Sequence, residues 1–233
     1  AHEVHGATGL GSLVLPDPAR GADSDDAVGW LVETTRAEEG LHLVPIGPLT
    51  NVALALRADP GMADRVSSIT LMGGAALSVG NVTAAAEFNV YADPEAADEV
   101  FRSSAPLTML GLNLTHQVRM GSAHGRVCAT FGTPVGDAMA ELLEFYTTFH
   151  VAEEETEDGP VHDPCAVLAV THPHLFDMES RPVHVEVDGT HTRGMTVVDE
   201  RGPRAEGPHN CDVAYGADAE ALIDLVMQAV RDA

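Results

Sequence analysis

The order of short apolar strands and helices is what most limits the folds open to this chain. Three apolar runs, Leu41 to Ile46, Ser67 to Met72 and Leu107 to Leu110, alternate with helical patterns. The first run ends in Gly47-Pro48 and the second in Gly73-Gly74. Leu49 to Ala58 reads as a helix stopped by Asp59-Pro60. Asp93-Pro94-Glu95 opens another that runs to about Ser103, with Pro in the first turn, where its missing N–H leaves no bond unmade. Short, continuously apolar strands in strand–helix–strand–helix order demand a parallel sheet covered on both faces. The expected class is α/β: a mostly parallel open sheet flanked by helices, with a Rossmann-like core.

Either side of this alternation the signals differ. Residues 1–18 form a Gly-rich loop with His2 and His5 and no regular period. Asp23 to Asp26 caps a helix whose apolar positions Val28, Leu31 and Val32 keep helical spacing as far as Gly40. After Leu110, helices are expected over Gly125 to Phe131 and Val135 to about Val151, then the acid run Glu153 to Asp158. Val161-His162-Asp163-Pro164-Cys165 starts a further helix. Pro182 to Val187 and Thr190 to Asp199 alternate apolar and polar residues and read as a small hairpin joined at Asp188-Gly189-Thr190. Asp212 to Tyr215 is a last strand and Ala217 to Arg231 a terminal amphipathic helix. No repeat or linker interrupts the chain, so its 233 residues are expected to form a single domain.

Charge excludes whole classes of partner. The formal net charge is -24, all 12 basic residues are Arg, and there is no Lys. Such a surface repels nucleic acid and anionic membrane. No apolar run approaches the length of a membrane span. Cys128, Cys165 and Cys211 are odd in number and widely spaced, which fits reduced core thiols in a cytoplasmic setting. An acidic, Lys-free composition is also what a salt-adapted protein or a high-GC genome would produce.

The stretch Gly80 to Ala97, GNVTAAAEFNVYADPEAA, carries the chemistry. Asn81, Thr83, Glu87 and Asn89 stand in a segment otherwise small and apolar. Glu87 lies between Ala86 and Phe88, where desolvating a carboxylate is costly unless something pairs with it. Two carboxamides and a carboxylate within nine residues can serve several hydroxyls of one small polar ligand. The bland alternative is a buried polar network that only locks a long loop. In an open parallel sheet, ligands bind beyond the carboxyl ends of the strands. Thr50 and Asn51, Met72 to Asn89, and Asn113, Thr115 and His116 all follow strands, while His162 and Asp163 open a helix. Taken singly, each has a plain structural role: Thr50 and Asp163 as helix caps, Met72 as core filler, His162 as a hydrogen-bonded rim histidine.

Taken in order, PIGPLTNVALAL, LMGG, GNVTAAAEFNVYADPEAA, GLNLTH, VHDPCAV and GMTVVD resemble the nucleoside hydrolases. The segment HGATGLG near the start is similar to that family's HGxxGLG loop. The resemblance covers nearly the whole chain and implies the nucleoside hydrolase fold. It also implies Ca²⁺-assisted hydrolysis of the N-glycosidic bond of ribonucleosides, and a homo-oligomer, dimer or tetramer. Asp163 and the backbone carbonyl of Thr50 would be metal ligands, hard oxygen donors of the kind Ca²⁺ takes. Asn81 and Glu87 would bind the 5′-hydroxyl side of the sugar and Asn89 its diol, with Met72 and Phe88 lining the pocket and Asp163 also reaching the sugar. His162 would assist departure of the base, a task for a group that titrates near neutral pH. His5 would contact the base. Tyr146, Phe149 and His150, on one helix face, and Phe145 could stack on a base or simply fill a core. Base preference is left open.

One departure from the family pattern matters. The family begins with a strand ending in an Asp-x-Asp-x3-Asp-Asp cluster that supplies further metal ligands and the general base. Asp23-x-Asp25-Asp26 is no substitute, because no strand precedes it, its spacing differs, and it follows the HGATGLG loop. The expectation is therefore a family member without its first strand–helix units, inactive or nearly so by itself. The alternatives are a non-catalytic nucleoside-binding relative or one half of a split enzyme.

Overall fold

The computed structural model describes residues 9–154, 156 and 158–233, the side chains of 149–154 excepted. His5, Phe149 and His150, singled out above, lie outside the described side chains. The described elements run in the order α1 (Ala27–Ala37), β1 (His42–Leu43), α2 (Thr50–Ala58), α3 (Met62–Arg65), β2 (Ser68–Met72), α4 (Phe88–Ala92) and α5 (Pro94–Phe101). They continue with β3 (Leu107–Leu110), α6 (Leu112–Thr115), β4 (Arg119–Gly121), α7 (Ser122–Cys128), α8 (Pro134–Glu154), β5 (Asp158–Pro160) and α9 (Asp163–Thr171). Last come β6 (Phe176–Arg181), β7 (Val183–Val185), β8 (Thr196–Val198), β9 (Cys211–Ala217) and α10 (Ala219–Asp232), with short 3-10 turns between some of them. The chain divides into two compact units.

The larger unit, Ala22–Thr115 with His162–Ala217, holds the main sheet. Its strand order is β1-β2-β3-β9-β6. The first four strands are parallel and β6 runs antiparallel at one edge. In the β2–β3 pair, Ile69 stands opposite Leu107 and Met72 opposite Leu110, so both strands end level at their carboxyl ends. Ile69, Leu71, Met109 and Leu110 are buried to 1% or less, as strands covered on both faces require. Leu56 of α2, Met62 of α3 and Val100 and Phe101 of α5 pack in the same core, and α9 packs against β2 and β3. Caps set the helix starts. Asp26 accepts from Gly29 N–H at 2.8 Å, and Asp93 accepts from Ala96 N–H at 3.1 Å with Pro94 in the first turn. The expected α/β class with a mostly parallel sheet is the class observed.

Details differ for local reasons. The first strand shrinks to His42–Leu43, because Pro45 has no N–H for a ladder; its carbonyl still accepts from Met72 N–H at 3.0 Å. The hairpin of β7 and β8 forms, but Glu186–Met195 is closed by Gly194 N–H to Glu186 O (2.7 Å) and Glu186 N–H to Met195 O (2.9 Å), so the turn is wider than Asp188-Gly189-Thr190 alone. Strand β6 was hidden in the sequence because an edge strand exposed to water carries the polar residues Asp177, Glu179 and Ser180.

The smaller unit comprises Ala1–Gly21, His116–Val161 and Asp218–Ala233. Among its described residues, Met120, Cys128, Leu143, Met227 and Val230 form its own apolar cluster. Gly11 has φ +61, and a Cβ there would sit 2.5 Å from the Phe145 ring, so this glycine serves both conformation and close approach. Beside it is a cavity of about 160 Å³ lined by Gly9, Leu10, Gly11, Leu142, Leu143, Phe145 and Tyr146. The Tyr146 hydroxyl donates to Pro160 O at 3.0 Å. Among the described residues no helix is long and apolar enough to cross a membrane.

Candidate functional site

The site is built from the backbone that leaves β2. Gly74 N–H donates to Glu87 Oε2 at 2.9 Å. Ala75 N–H donates to Thr196 Oγ1, and Ala75 O accepts from the same hydroxyl, both at 2.8 Å. Ala76 N–H donates to Asn113 Oδ1 at 3.0 Å, while Asn113 Nδ2 reaches Ala214 O at 2.8 Å. Three consecutive residues are thus held by side chains from three other elements. Gly74 has φ +73, and a Cβ there would lie 2.7 Å from Thr196 and 2.9 Å from Met109 Sδ, so only glycine fits.

Glu87 is the hub. It is 3% exposed and caps α4. Its Oε1 accepts from Asn89 N–H at 2.9 Å; Oε2 accepts from Gly74 and, at 3.3 Å, from Val90 N–H. Burial pushes its pKa above the ordinary carboxylate value; the N–H groups of Asn89, Gly74 and Val90 oppose that push, and the charge of Asp163 adds to it. Glu87 and Asp163, 76 positions apart in the chain, therefore lie within electrostatic reach of each other. The loop before Glu87 is a knot: Thr83 Oγ1 accepts from Ala86 N–H at 2.9 Å, and Ala86 O accepts from the N–H groups of Asn81, Val82 and Thr83. Asn81 Oδ1 then accepts from Phe88 N–H at 2.9 Å. Asn89 Nδ2 donates to Met72 O at 3.0 Å, which seats Asn89 on the end of β2.

The second half of the site is the start of α9. His162 is its N-cap and Asp163 its first residue, where the helix dipole favours a carboxylate. His162 Nδ1 lies 2.8 Å from Thr115 Oγ1 at the end of α6. Cys165 is buried one turn on; burial first, then Asp163, pushes its thiol up to about 12, so it stays an inert thiol.

The remaining candidates fall as follows. Met72 is 4% exposed and meets Asn89 through its carbonyl and, at 3.5 Å, its sulfur. Phe88 is 40% exposed at the start of α4. Thr50 is the first residue of α2, and its hydroxyl donates to Asp93. Asp23, Asp25 and Asp26 are all exposed and Asp26 caps α1, so the cluster is a helix start. Thr196 escaped the sequence reading as a functional position although it lies inside the motif GMTVVD; Gly74, Asn113 and Thr115 stood among the residues after strands, in LMGG and GLNLTH, without an assigned role.

Comparison with known proteins decides the family. A family model described as inosine-uridine preferring nucleoside hydrolase matches residues 1–224. The chain belongs to that family. Among related nucleoside hydrolases, the pyrimidine-specific ribonucleoside hydrolase RihA of Shewanella woodyi is 40% identical over 99% of this chain and 74% of its own length. The RihA of Photobacterium profundum is 41% identical, over 100% and 75%. Among solved nucleoside hydrolases, the purine-preferring ribonucleoside hydrolase from Gardnerella vaginalis superposes with TM-score 0.91 at 32% identity, covering 99% of this chain and 73% of that one. The plant nucleoside hydrolase PpNRh1 gives 0.93 at 30% identity, covering 100% and 75%. This nucleoside hydrolase is thus an enzyme of ribonucleoside breakdown to ribose and free base, with a small-molecule substrate.

Proposed function

We propose that the chain cleaves the N-glycosidic bond of pyrimidine ribonucleosides at the edge formed by residues 72–89 and the start of α9. The observation that carries the placement is the Glu87 hub: a buried carboxylate, held by three N–H groups and coupled to Asp163, with Asn81 and Asn89 fixed beside it. Cleavage develops positive charge on the sugar ring. Glu87 and Asp163 supply a preorganised negative field there, and the carboxamides of Asn81 and Asn89 bind hydroxyls. Water adds its oxygen to the anomeric carbon as the C–N bond breaks, and the departing base takes up a proton. His162 is the group assigned to meet that base. Phe88 provides an apolar wall. The pyrimidine preference rests on the identity with the RihA enzymes.

Calcium is the metal the resemblance implies, and the described residues fit it poorly. Ca²⁺ takes about 6–8 oxygen ligands. Asp163 and the Thr50 carbonyl fall short of that number, Glu87 already accepts three N–H groups, and no group of three His, Cys, Asp or Glu among the described residues could hold an ion. No step is derived through a metal. Calorimetric titration of this 233-residue chain with Ca²⁺ is expected to show half-saturation at about 1 mM or weaker; sub-micromolar binding would mean that the described residues assemble a complete site. A cytoplasmic homo-oligomer belongs to the same proposal.

The substrate proposal is tested with uridine, cytidine, inosine and adenosine, by release of base with and without added Ca²⁺. Uridine and cytidine are expected to exceed the purine nucleosides in kcat/KM by about 100-fold or more. Equal or faster turnover of inosine would overturn the pyrimidine assignment.

A further inference from the structure

Thr115 closes α6, the short helix after β3, and is fully buried. Its hydroxyl has one partner among the described residues, His162 Nδ1 at 2.8 Å. A buried hydroxyl must place its proton on some acceptor or lose the full value of a hydrogen bond. The usual acceptor for a helical threonine is the carbonyl four residues back. Here that carbonyl, Gly111 O, already accepts from Leu114 N–H and Thr115 N–H, each at 3.0 Å. Both of its lone pairs are in use, which leaves Nδ1 as the acceptor for the Thr115 proton. A nitrogen that accepts cannot carry the proton of a neutral imidazole.

We propose that Thr115 is a positioning residue for His162: its hydroxyl donates into Nδ1 and thereby keeps the proton of the neutral ring on Nε2. The same bond fixes the rotation of the ring about its Cβ–Cγ axis. The inference rests on the assignment of His162 to the departing base, because an N–H on Nε2 is what a leaving nitrogen or carbonyl of a nucleobase needs from a neighbour. Nδ1, occupied by Thr115, has no such role. The sequence places the pair 47 positions apart, and only the approach of the α6 end to the α9 start joins them. Serine keeps the hydroxyl, whereas valine keeps the shape and removes it.

The test begins with ¹⁵N-labelled histidine in this chain, the His162 signals being identified by their loss in His162→Ala. At a pH where the ring is neutral, Nδ1 is expected to have the shift of an unprotonated, pyridine-like nitrogen and Nε2 that of a protonated, pyrrole-like one. Thr115→Ser keeps the pattern; Thr115→Val moves both shifts toward the average of the two tautomers. A protonated Nδ1 in the unaltered protein, or no change in Thr115→Val, overturns the proposal. In turnover of uridine, Thr115→Val is expected to lower kcat about tenfold or more while KM stays within about twofold, and Thr115→Ser to recover most of the loss. Should His162→Ala turn over uridine as fast as the unaltered protein, the role of His162 itself fails while the tautomer result stands. Should His162→Ala be slow and Thr115→Val fast, only the positioning role of Thr115 fails.

Discussion

Replacing Glu87 with alanine is expected to lower kcat/KM for ribonucleosides by about 10³-fold and to cost about 2–4 kcal/mol of stability. The two effects have one source. The carboxylate is 3% exposed and accepts from Gly74, Asn89 and Val90 N–H, so alanine leaves three buried donors with nothing to bind. Gly74 would then lose one of the anchors of the segment that leaves β2, and the start of α4 would lose its cap. Glu87→Gln separates charge from scaffold. Its one carbonyl oxygen can still accept from Gly74 and Val90 N–H while its NH2 faces Asn89 N–H, so part of the stability is retained, whereas the negative field is gone and activity falls nearly as far. A further signature follows from burial, which lifts the folded pKa of Glu87 above its unfolded value. The folded protein then binds the proton more tightly than the unfolded chain. The contribution of Glu87 to stability is therefore greatest below the usual carboxylate range and is lost as pH rises through that range to the raised value. Glutamine carries no such proton, so the stability difference between Glu87→Gln and the unaltered protein should shift toward the variant as pH rises through and above the usual carboxylate range. Urea denaturation across that range measures it. A variant that turns over uridine within tenfold of the unaltered protein would remove Glu87 from the site.

How much of this could be read from the chain depends on where the information is stored. The run of strands and helices from Thr50 to Leu110 was legible because its signals are local: apolar runs of four to six residues, Asp59-Pro60 as a stop, Asp93-Pro94 as a start. The chemistry of Glu87 was legible for a related reason. A carboxylate between Ala86 and Phe88 is costly unless it is paired, and the pairing partners turn out to be its own neighbours Asn89 and Val90, with Gly74 added. Helix α4 was missed because five residues, Phe88–Ala92, are too few to show a period; the cap that makes the helix is the same Glu87 read for its charge.

The bonds that hold the site together were not legible, because they join distant positions. Thr196 reaches Ala75 across 121 residues, Asn113 reaches Ala214 across 101, and Thr115 meets His162 across 47. No spacing rule predicts such pairs; only the sheet order, with β2, β3 and β9 side by side, brings them to one edge.

Molar KCl is expected to raise the melting temperature of this protein, against the usual effect of salt on surface ion pairs. Arg side chains are matched to Asp59, Asp98, Asp199, Glu95, Glu99, Glu179 and Glu200. Salt weakens such exposed pairs, each of which contributes about 0–1 kcal/mol, so taken alone they predict a small loss. The opposing effect is larger. With 36 acidic residues and 12 Arg, even complete pairing would leave 24 acidic side chains without a cation, and their mutual repulsion falls on the folded state, where they are held closest. At 1 M salt the screening length shrinks to about 3 Å, which removes repulsion between carboxylates that are not in contact but preserves part of the attraction between groups that are. A net gain of about 2 kcal/mol corresponds to roughly 4–8 °C in a chain of this size. Thermal unfolding at 0.1, 1 and 2 M KCl measures the shift. An unchanged or falling melting temperature would mean that the unpaired acids stand too far apart for their repulsion to matter, and the salt-adapted reading of the composition would go with it.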